Sequence, residues 1–127
     1  MPSNTNLYET LLFSVADHIA TVVLNRPDAR NAMNAKMCRE LISVSQRISE
    51  TSDIRVVLIK GAGDIFCAGG DLKERKGMSN EDVLARRDLA FDAYASIEQI
   101  PQPVVTVIHG AAYGSGLELV ALSLIHI

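Results

Sequence analysis

Residues 54–71 of the chain read IRVVLIKGAGDIFCAGGD, and this stretch decides the fold class that we expect. Its first part, Ile54 with Val56–Ile59, is a continuous apolar run closed by the glycines and aspartate of residues 61–64. Such a run is typical of a strand that is covered on both faces within a parallel sheet. Its second part, Ile65–Asp71, is rich in small residues and has no strand or helix periodicity, which predicts a loop whose backbone closely approaches another group. The stretch therefore predicts an α/β protein with a glycine loop directly after a buried strand.

The segment before this stretch predicts a hairpin followed by a helix. Leu11–Ala16 and Ile19–Leu24 are strand-like runs separated by the polar pair Asp17 and His18, which is a hairpin signal. From Asn34 onward, apolar residues recur at the spacing of a four-turn amphipathic helix, namely Met37, Leu41, Val44 and Ile48. We expect the polar residues between them to lie on the exposed face, namely Lys36, Glu40, Arg47 and Glu50.

The segment after the stretch predicts a second helix, a second buried strand and a terminal helix. Residues 79–82 (SNED) carry capping and acidic residues, and apolar residues then follow at helical spacing up to Pro101, namely Val83, Leu84, Phe91, Tyr94 and Ile97. Val104–Ile108 is a further buried-strand run, and it leads through the glycine loop of residues 110–118 into the terminal helix. This order of strands and helices predicts repeated right-handed crossovers.

Composition excludes several classes of protein. The 127 residues are 48% hydrophobic and 21% charged, which fits one folded domain. Because 12 Lys and Arg stand against 15 Asp and Glu, for a net charge of −3, we expect no nucleic-acid partner. Cys38 and Cys67 have neither the spacing of a metal site nor that of a disulfide framework, which favours a cytoplasmic protein without a metal. We expect no membrane association, since no apolar run is long enough to span a bilayer.

The two glycine loops are the candidate site. Ala68-Gly69-Gly70-Asp71 either presents unobstructed backbone N–H groups to a ligand or is a tight turn whose glycines only supply positive φ. Gly110–Glu118 (GAAYGSGLE) joins a strand to a helix N-terminus, so its N–H groups suit an anion or a developing oxyanion. The glycine spacing is neither a dinucleotide fingerprint nor a nucleophile elbow, and we interpret Ser115 as a small residue tolerated for its backbone.

A few charged residues near these loops are further candidates. Glu118 is the one charge in the apolar terminal helix, either facing solvent near the positive helix end or acting as a partly buried acid or base. Arg26 and Arg30 flank a Pro-Asp turn and are either a solvated edge or an anion contact. The three histidines share no ligand spacing, and we interpret each as structural.

Taken together, these segments resemble the enoyl-coenzyme A hydratase/isomerase family, also called the crotonase family. The resemblance covers about residues 8–121, and the matching pieces occur in the family's order: residues 24–34 (LNRPDARNAMN), 56–63 (VVLIKGAG), 66–73 (FCAGGDLK) and 103–118. It implies a truncated crotonase (ClpP-like) spiral of ββα units. It also implies an enoyl-CoA hydratase that adds water to a 2-enoyl-CoA thioester, with an isomerase or a non-catalytic acyl-CoA-binding member as alternatives.

The resemblance also implies roles for individual residues. The backbone N–H groups of Gly70 and Ser115 would hold the thioester enolate, and Glu118 matches the first of two glutamates that activate water in hydratases. The substrate contacts that it implies are Ala68, Gly69, Gly70, Asp71, Leu72, Lys73, Arg26 and Arg30. No cofactor is expected, because coenzyme A is part of the substrate, and the full-length protein would be a homotrimer or hexamer.

The end of the chain departs from the family's pattern. Leu122–Ile127 (LSLIHI) is what in-frame translation of a common transposon-end sequencing adapter would give. We therefore expect residues 1–121 to be the N-terminal part of a crotonase-type domain and residues 122–127 to be a non-native tail. The second hydratase glutamate lies beyond the residues present, so we expect this fragment to be inactive.

Overall fold

The computed structural model describes residues 7–122 and 125–126. Within them lie five strands, four helices and one 3-10 turn at Pro27–Ala29. The strands are β1 (Leu11–Ala16), β2 (Ile19–Leu24), β3 (Val56–Gly61), β4 (Val104–Thr106) and β5 (Ile125–His126). The helices are α1 (Ala35–Ser49), α2 (Leu72–Arg75), α3 (Asn80–Glu98) and α4 (Ser115–Leu122).

The strands form one sheet in the order β1-β2-β3-β4-β5. The predicted hairpin is confirmed: β1 and β2 pair antiparallel from Leu11↔Leu24 to Ala16↔Ile19. Asp17 and His18 have φ of 52° and 66°, as a tight two-residue hairpin turn requires. Every later pair, from β2–β3 to β4–β5, is parallel, with a helix in each connection. The expected α/β class with a parallel sheet is therefore confirmed.

Helix α1 begins where the sequence predicts, with Asn34 as its cap, and the Asn34 side chain accepts the Met37 N–H at 2.9 Å. The four apolar residues of its predicted inner face are all buried. The placement of Glu40 on the exposed face is wrong. Its carboxylate is buried and accepts the Glu9 N–H at 2.9 Å and the Thr10 N–H at 2.7 Å, so it ties the segment before β1 to α1.

Helix α3 begins after Ser79, as predicted, and ends before Pro101. Ser79 and Asp82 form a capping box, each accepting a backbone N–H of the other. Its apolar residues are less buried than predicted: Ala93 and Ile97 lie in the core, whereas Leu84 and Phe91 are exposed. The reason is that one side of α3, with Ala93 and Ile97, packs inward, whereas another side, with Leu84 and Phe91, lines a cavity.

Two strands also differ from expectation. The fourth strand ends at Thr106, two residues before the predicted end at Ile108. In β3, Val57 and Ile59 are buried whereas Val56 and Leu58 are half-buried, so only one face of this strand is fully covered in the chain described. The four-residue helix α2 was not predicted, because it is too short to show a period.

The core lies between the sheet and α1, and residues of the predicted strands and of the glycine loop form its centre. Leu24, Met37, Leu41, Val57 and Phe66 are each at most 1% exposed. Cys38 and Cys67 are free and fully buried in the same cluster. Among the described helices, none has the length and apolar character to cross a bilayer.

The boundary expected at residue 122 falls at the edge of the described residues. Ile125 and His126 pair in parallel with Val105 and Thr106, while residues 123, 124 and 127 lie outside the described residues. The division into residues 1–121 and 122–127 stays a prediction.

Candidate active site

The first glycine loop starts where β3 ends, and its turn requires glycine. A Cβ at Gly61 would lie 2.6 Å from the Phe66 carbonyl oxygen, so no larger residue fits. Asn31 is fully buried, and its side-chain amide donates to the carbonyls of Ala62 at 2.8 Å and Ile65 at 2.9 Å. The turn after β3 is thus fixed by an asparagine from the segment before α1.

Met33 holds the rest of the loop in an extended form. Its N–H donates to the Gly69 carbonyl at 2.7 Å, and its carbonyl accepts the Asp71 N–H at 3.2 Å, which makes an isolated parallel bridge with Gly70. Gly69 has a φ of 101° and so meets the expectation of a glycine that supplies positive φ. Gly70 is exposed, and nothing lies within 4 Å of where its Cβ would be. Its N–H faces away from Met33, because alternate peptide groups of an extended segment point to opposite sides.

Asp71 and Arg26, both predicted as substrate contacts, bind each other. The Asp71 carboxylate accepts from Arg26 Nη2 at 3.0 Å and from the Lys73 and Glu74 N–H groups at 3.0 and 3.2 Å, so it caps α2. Burial of this carboxylate opposes ionisation, but these hydrogen bonds outweigh it and hold the pKa of Asp71 below its ordinary value. Arg26 also donates to the Ala32 carbonyl, so it is an internal ion-pair partner and not a solvated edge.

The second glycine loop lies directly against the first. The Phe66 N–H donates to the Ala111 carbonyl at 3.0 Å, the Tyr113 N–H donates to the Cys67 carbonyl at 3.0 Å, and Cys67 and Ala112 form a parallel bridge. A Cβ at Gly114 would lie 3.8 Å from the Gly69 Cα. The structure therefore brings together the two loops that the sequence singled out.

A cavity of about 370 Å³ opens at this junction. Gly70 and Asp71 of the first loop line one side, and Glu118 of α4 lines another. Helix α3 contributes apolar side chains to the lining, including Leu84, Phe91 and Tyr94. Charged side chains also line the cavity, namely Glu74, Arg75, Arg86 and Arg87. The lining thus combines an exposed glycine of the first loop, apolar side chains and charges of both signs, which is a composition that can hold a molecule with apolar and charged parts.

Glu118 is exposed, and its N–H donates to the Gly114 carbonyl at 3.1 Å, which places it in the first turn of α4. In the chain described it matches the expectation of a solvent-facing carboxylate near the positive helix end. It also lines the same cavity as Gly70. Helix α4 begins at Ser115, and the Gly116 N–H in its first turn donates to the Tyr113 carbonyl at 2.7 Å.

The other predicted contact residues, in and next to the loop, differ in exposure. Ala68 is half-buried and donates its N–H to the Arg30 carbonyl at 3.0 Å, while the Arg30 side chain is exposed. Leu72 is 76% exposed, and Lys73 is also exposed.

The histidines whose side chains the structure describes lie elsewhere. His18 is 3.0 Å from the Asp53 carboxylate, and His109 donates to the Gly63 carbonyl. The side chain of His126 lies outside the described part of the chain. Among the described residues, no three His, Cys, Asp or Glu side chains come together as a metal site would require.

Sequence reasoning missed four residues that shape this site, namely Asn31, Met33, Glu74 and Arg86. Each acts through contacts with residues more than ten positions away, so no local period reveals it. For Asn31 the signal available was its place in the Asn-rich segment Asn31-Ala32-Met33-Asn34 before the helix. Glu74 and Arg86 lie among other charged residues in the sequence, and no pattern there indicates that they form an ion pair.

Comparison with known protein families places these features in context. Residues 14–127 match the model of a family described as enoyl-CoA hydratase/isomerase. The chain is 43% identical over 113 residues to a Bacillus subtilis protein named as an enoyl-CoA hydratase/isomerase, covering 87% of this chain and 44% of that protein. It is 39% identical over 126 residues to the mouse mitochondrial Delta(3,5)-Delta(2,4)-dienoyl-CoA isomerase, covering 90% of this chain and 38% of the isomerase.

Solved structures agree with the sequence comparison. The crystal structure of an enoyl-CoA hydratase from Bacillus anthracis superposes with a TM-score of 0.89 at 35% identity, over 93% of this chain and 46% of that chain. A Mycobacterium smegmatis enoyl-CoA hydratase gives a TM-score of 0.89 at 32% identity, over 93% and 47%. The chain thus has the fold of these proteins and spans less than half of their length.

Proposed function

Because the chain belongs to the enoyl-CoA hydratase/isomerase family, we propose that it is part of an enzyme that adds water across the 2,3 double bond of an enoyl-CoA thioester. In this proposal, the thioester carbonyl lies at the junction of the two glycine loops. Addition of water at the β-carbon puts negative charge on the thioester oxygen, and the enolate is then protonated at the α-carbon. The protein's task is to stabilise that charge and to move the protons.

The observation that carries the proposal is the contact between the two loops. Gly70 is exposed at the cavity with its N–H turned away from Met33, and the first turn of α4 begins next to the same cavity. We propose that the Gly70 and Ser115 N–H groups both donate to the enolate oxygen. Donors fixed by backbone hydrogen bonds need little reorganisation as the charge develops, and the helix N-terminus adds a favourable field.

Glu118 is the proposed general acid and base. It lines the cavity together with Gly70, and its exposure leaves the carboxylate within reach of water. A positioned carboxylate that exchanges a proton with the reacting water typically contributes ~10²- to 10⁴-fold to the rate.

The remaining proposed roles concern the coenzyme A part of the substrate. Ala68 and Gly69 belong to the first glycine loop and Leu72 and Lys73 follow it, and the pantetheine and adenine would pass along these residues. Arg30 is exposed and free to meet a phosphate, whereas Arg26 and Asp71 would act by holding the loop in shape. No separate cofactor is needed, since coenzyme A is carried by the substrate. The proposed whole protein is a cytoplasmic homotrimer or hexamer.

A double-bond isomerase is the second candidate. The observation that favours it is the 39% identity to the mouse dienoyl-CoA isomerase, which is close to the identity with the hydratases. Both reactions pass through an enolate held by two backbone donors, and they differ in the carboxylates that move protons. A non-catalytic acyl-CoA-binding member would keep the two donors and lack turnover.

We propose that the 127-residue chain binds the thioester without turning it over. The chain spans about half of its relatives' length, and the second water-activating glutamate that the family resemblance implies is not assigned to any of its residues. Hydration of crotonyl-coenzyme A by this chain alone would contradict this part of the proposal.

The test of the enolate site uses acetoacetyl-coenzyme A, which forms an enolate, and free coenzyme A as the reference ligand. Gly70→Pro removes the backbone N–H, and loss of one hydrogen bond to a charged oxygen should weaken acetoacetyl-coenzyme A binding by roughly 10- to 100-fold. Gly70→Ala is the matched control, because it keeps the N–H and its Cβ would meet nothing within 4 Å. Both affinities are measured by calorimetry.

Two results would contradict the assignment of Gly70. One is equal acetoacetyl-coenzyme A affinity in a folded Gly70→Pro protein and in Gly70→Ala. The other is an equal loss of affinity for free coenzyme A, which would show that the proline disturbs the whole loop and not a donor to the thioester oxygen.

A further inference from the structure

An ion pair in the lining of the cavity joins three segments of the chain. Arg86 of α3 donates through Nε to Glu74 Oε1 of α2 at 2.6 Å, and the two side chains are only 12% and 22% exposed. The second oxygen of Glu74 accepts the N–H of Ala35, the first residue of α1, at 2.8 Å. Arg86 also donates through Nη2 to the Met33 carbonyl. We call these two side chains, Glu74 and Arg86, the clamp.

The clamp acts on the residue that holds the first glycine loop. The Met33 carbonyl that accepts from Arg86 also accepts the Asp71 N–H, and the Met33 N–H donates to the Gly69 carbonyl. Gly69 and Asp71 are the neighbours of Gly70. Met33 therefore holds the backbone on both sides of Gly70, and Arg86 in turn holds the Met33 carbonyl.

The two charges of the clamp depend on each other. Removal of one partner from a mostly buried pair leaves the other charge without compensation, which costs far more than the pair contributes when intact. The planar guanidinium of Arg86 reaches Glu74 and Met33 at once, whereas a lysine ammonium is a single point charge on a flexible stem. The geometry therefore depends on arginine and not on positive charge alone.

We propose that Glu74 and Arg86 are positioning residues, which fix the Gly69-Gly70-Asp71 backbone so that the Gly70 N–H points into the cavity. Both side chains also line the cavity, and in this proposal they act on the Gly70 peptide through Met33. The role of the clamp in catalysis rests on the proposed function, whereas its effect on the loop backbone does not.

The experiment measures amide hydrogen exchange in the 127-residue chain by NMR. The reporters are the Asp71 and Met33 N–H groups, and the reference amides are those of β2 and β3. In Glu74→Gln and Arg86→Lys, local opening should reduce the protection of both reporters at least ~10-fold while the reference amides change little. Asp88→Asn is the matched control, because it removes an exposed carboxylate from the same helix α3.

Two outcomes would overturn the proposal. One is unchanged reporter protection in both clamp variants. The other is a loss of protection that is the same in the reporters and in β2 and β3, since a merely structural role would lower global stability uniformly.

A second measurement separates this proposal from the proposed function. Binding of acetoacetyl-coenzyme A is compared with binding of free coenzyme A for each variant. If the clamp positions the donor, each clamp variant loses the preference for the thioester together with the protection of the Asp71 N–H, while Asp88→Asn keeps both. Loss of the preference with unchanged protection would show direct contact between the clamp and the ligand and would overturn the proposal. If the unaltered chain shows no such preference, the proposed function fails, and the exchange result still decides whether the clamp holds the loop.

Discussion

At the scale of single residues, Asp71 shows how one side chain serves several backbone groups. Its carboxylate caps α2 and pairs with Arg26, so the segment before α1 is joined to the first glycine loop. Because all of these contacts favour the ionised form, the stability that Asp71 contributes depends on pH.

We predict that this contribution is lost in acid. The pKa of Asp71 is lowered in the folded chain, so its contribution is fully present above the unfolded value of ~3.9 and disappears as the pH falls through the lower folded value. The difference in unfolding free energy between the unaltered chain and Asp71→Asn should therefore be largest near neutral pH and shrink below about pH 4. Urea denaturation at a series of pH values measures it, and a difference that grows in acid would contradict the assignment.

The same scale shows which residues of the site could be predicted. Gly70 and Glu118 were both predicted from their places in a loop and at a helix start, and the structure has them line one cavity. Glu40 was wrongly predicted to be exposed. The helical pattern does not reveal that the N–H groups of Glu9 and Thr10 bind its carboxylate. Arg86 was missed for the same reason.

At the scale of elements, α3 carries both the cavity wall and Arg86, so the point at which it begins affects the site. Ser79 determines that point through its capping box with Asp82. The sequence predicted this start correctly, because cap residues act on their own next turn and need no distant partner. It did not predict which face of α3 is buried. The burial of Ala93 and Ile97 depends on how the helix packs against the rest of the fold.

We predict that Ser79→Ala lowers the free energy of unfolding by about 0.5–2 kcal/mol, because the Asp82 N–H loses its partner. Ser96→Ala is the matched control on the same helix. Its hydroxyl donates only to the Asp92 carbonyl one turn earlier, and alanine favours the helix, so we expect a small effect. Urea denaturation of both variants measures the difference. Equal losses would show that the cap does not decide the stability of α3.

At the scale of the whole molecule, the hairpin and the parallel strands were predictable because their apolar patterns are local. The meeting of the two glycine loops was not, since it depends on backbone contacts between segments about 45 residues apart, such as Cys67 with Ala112. The family resemblance supplied what periodicity could not. The core places Cys38 and Cys67 at 0% exposure, close to those contacts.

We predict that both thiols resist iodoacetamide in the folded chain. Burial prevents access and also raises the pKa of each thiol, so little thiolate is present. Labelling should be at least ~10²-fold slower in buffer than in strong urea, because it requires opening of the core. Mass spectrometry of the two cysteine peptides measures each rate. Rapid labelling of Cys67 alone would show that the glycine loops open independently and would contradict the single core described above.

The strand order β1-β2-β3-β4-β5 is also the order in which the chain is synthesised. A growing polypeptide can therefore add each strand to the edge of the sheet already formed, without inserting it between strands that have paired. The hairpin, which needs no later residue, is available first as a template, and β3 can pair with it once α1 has left the ribosome. The first glycine loop gains its partner, Met33, from residues synthesised earlier, whereas the contact between the two loops waits for residues 110–118. The vectorial direction of translation thus matches the spatial growth of the sheet, and the candidate site forms only after its second loop has been synthesised.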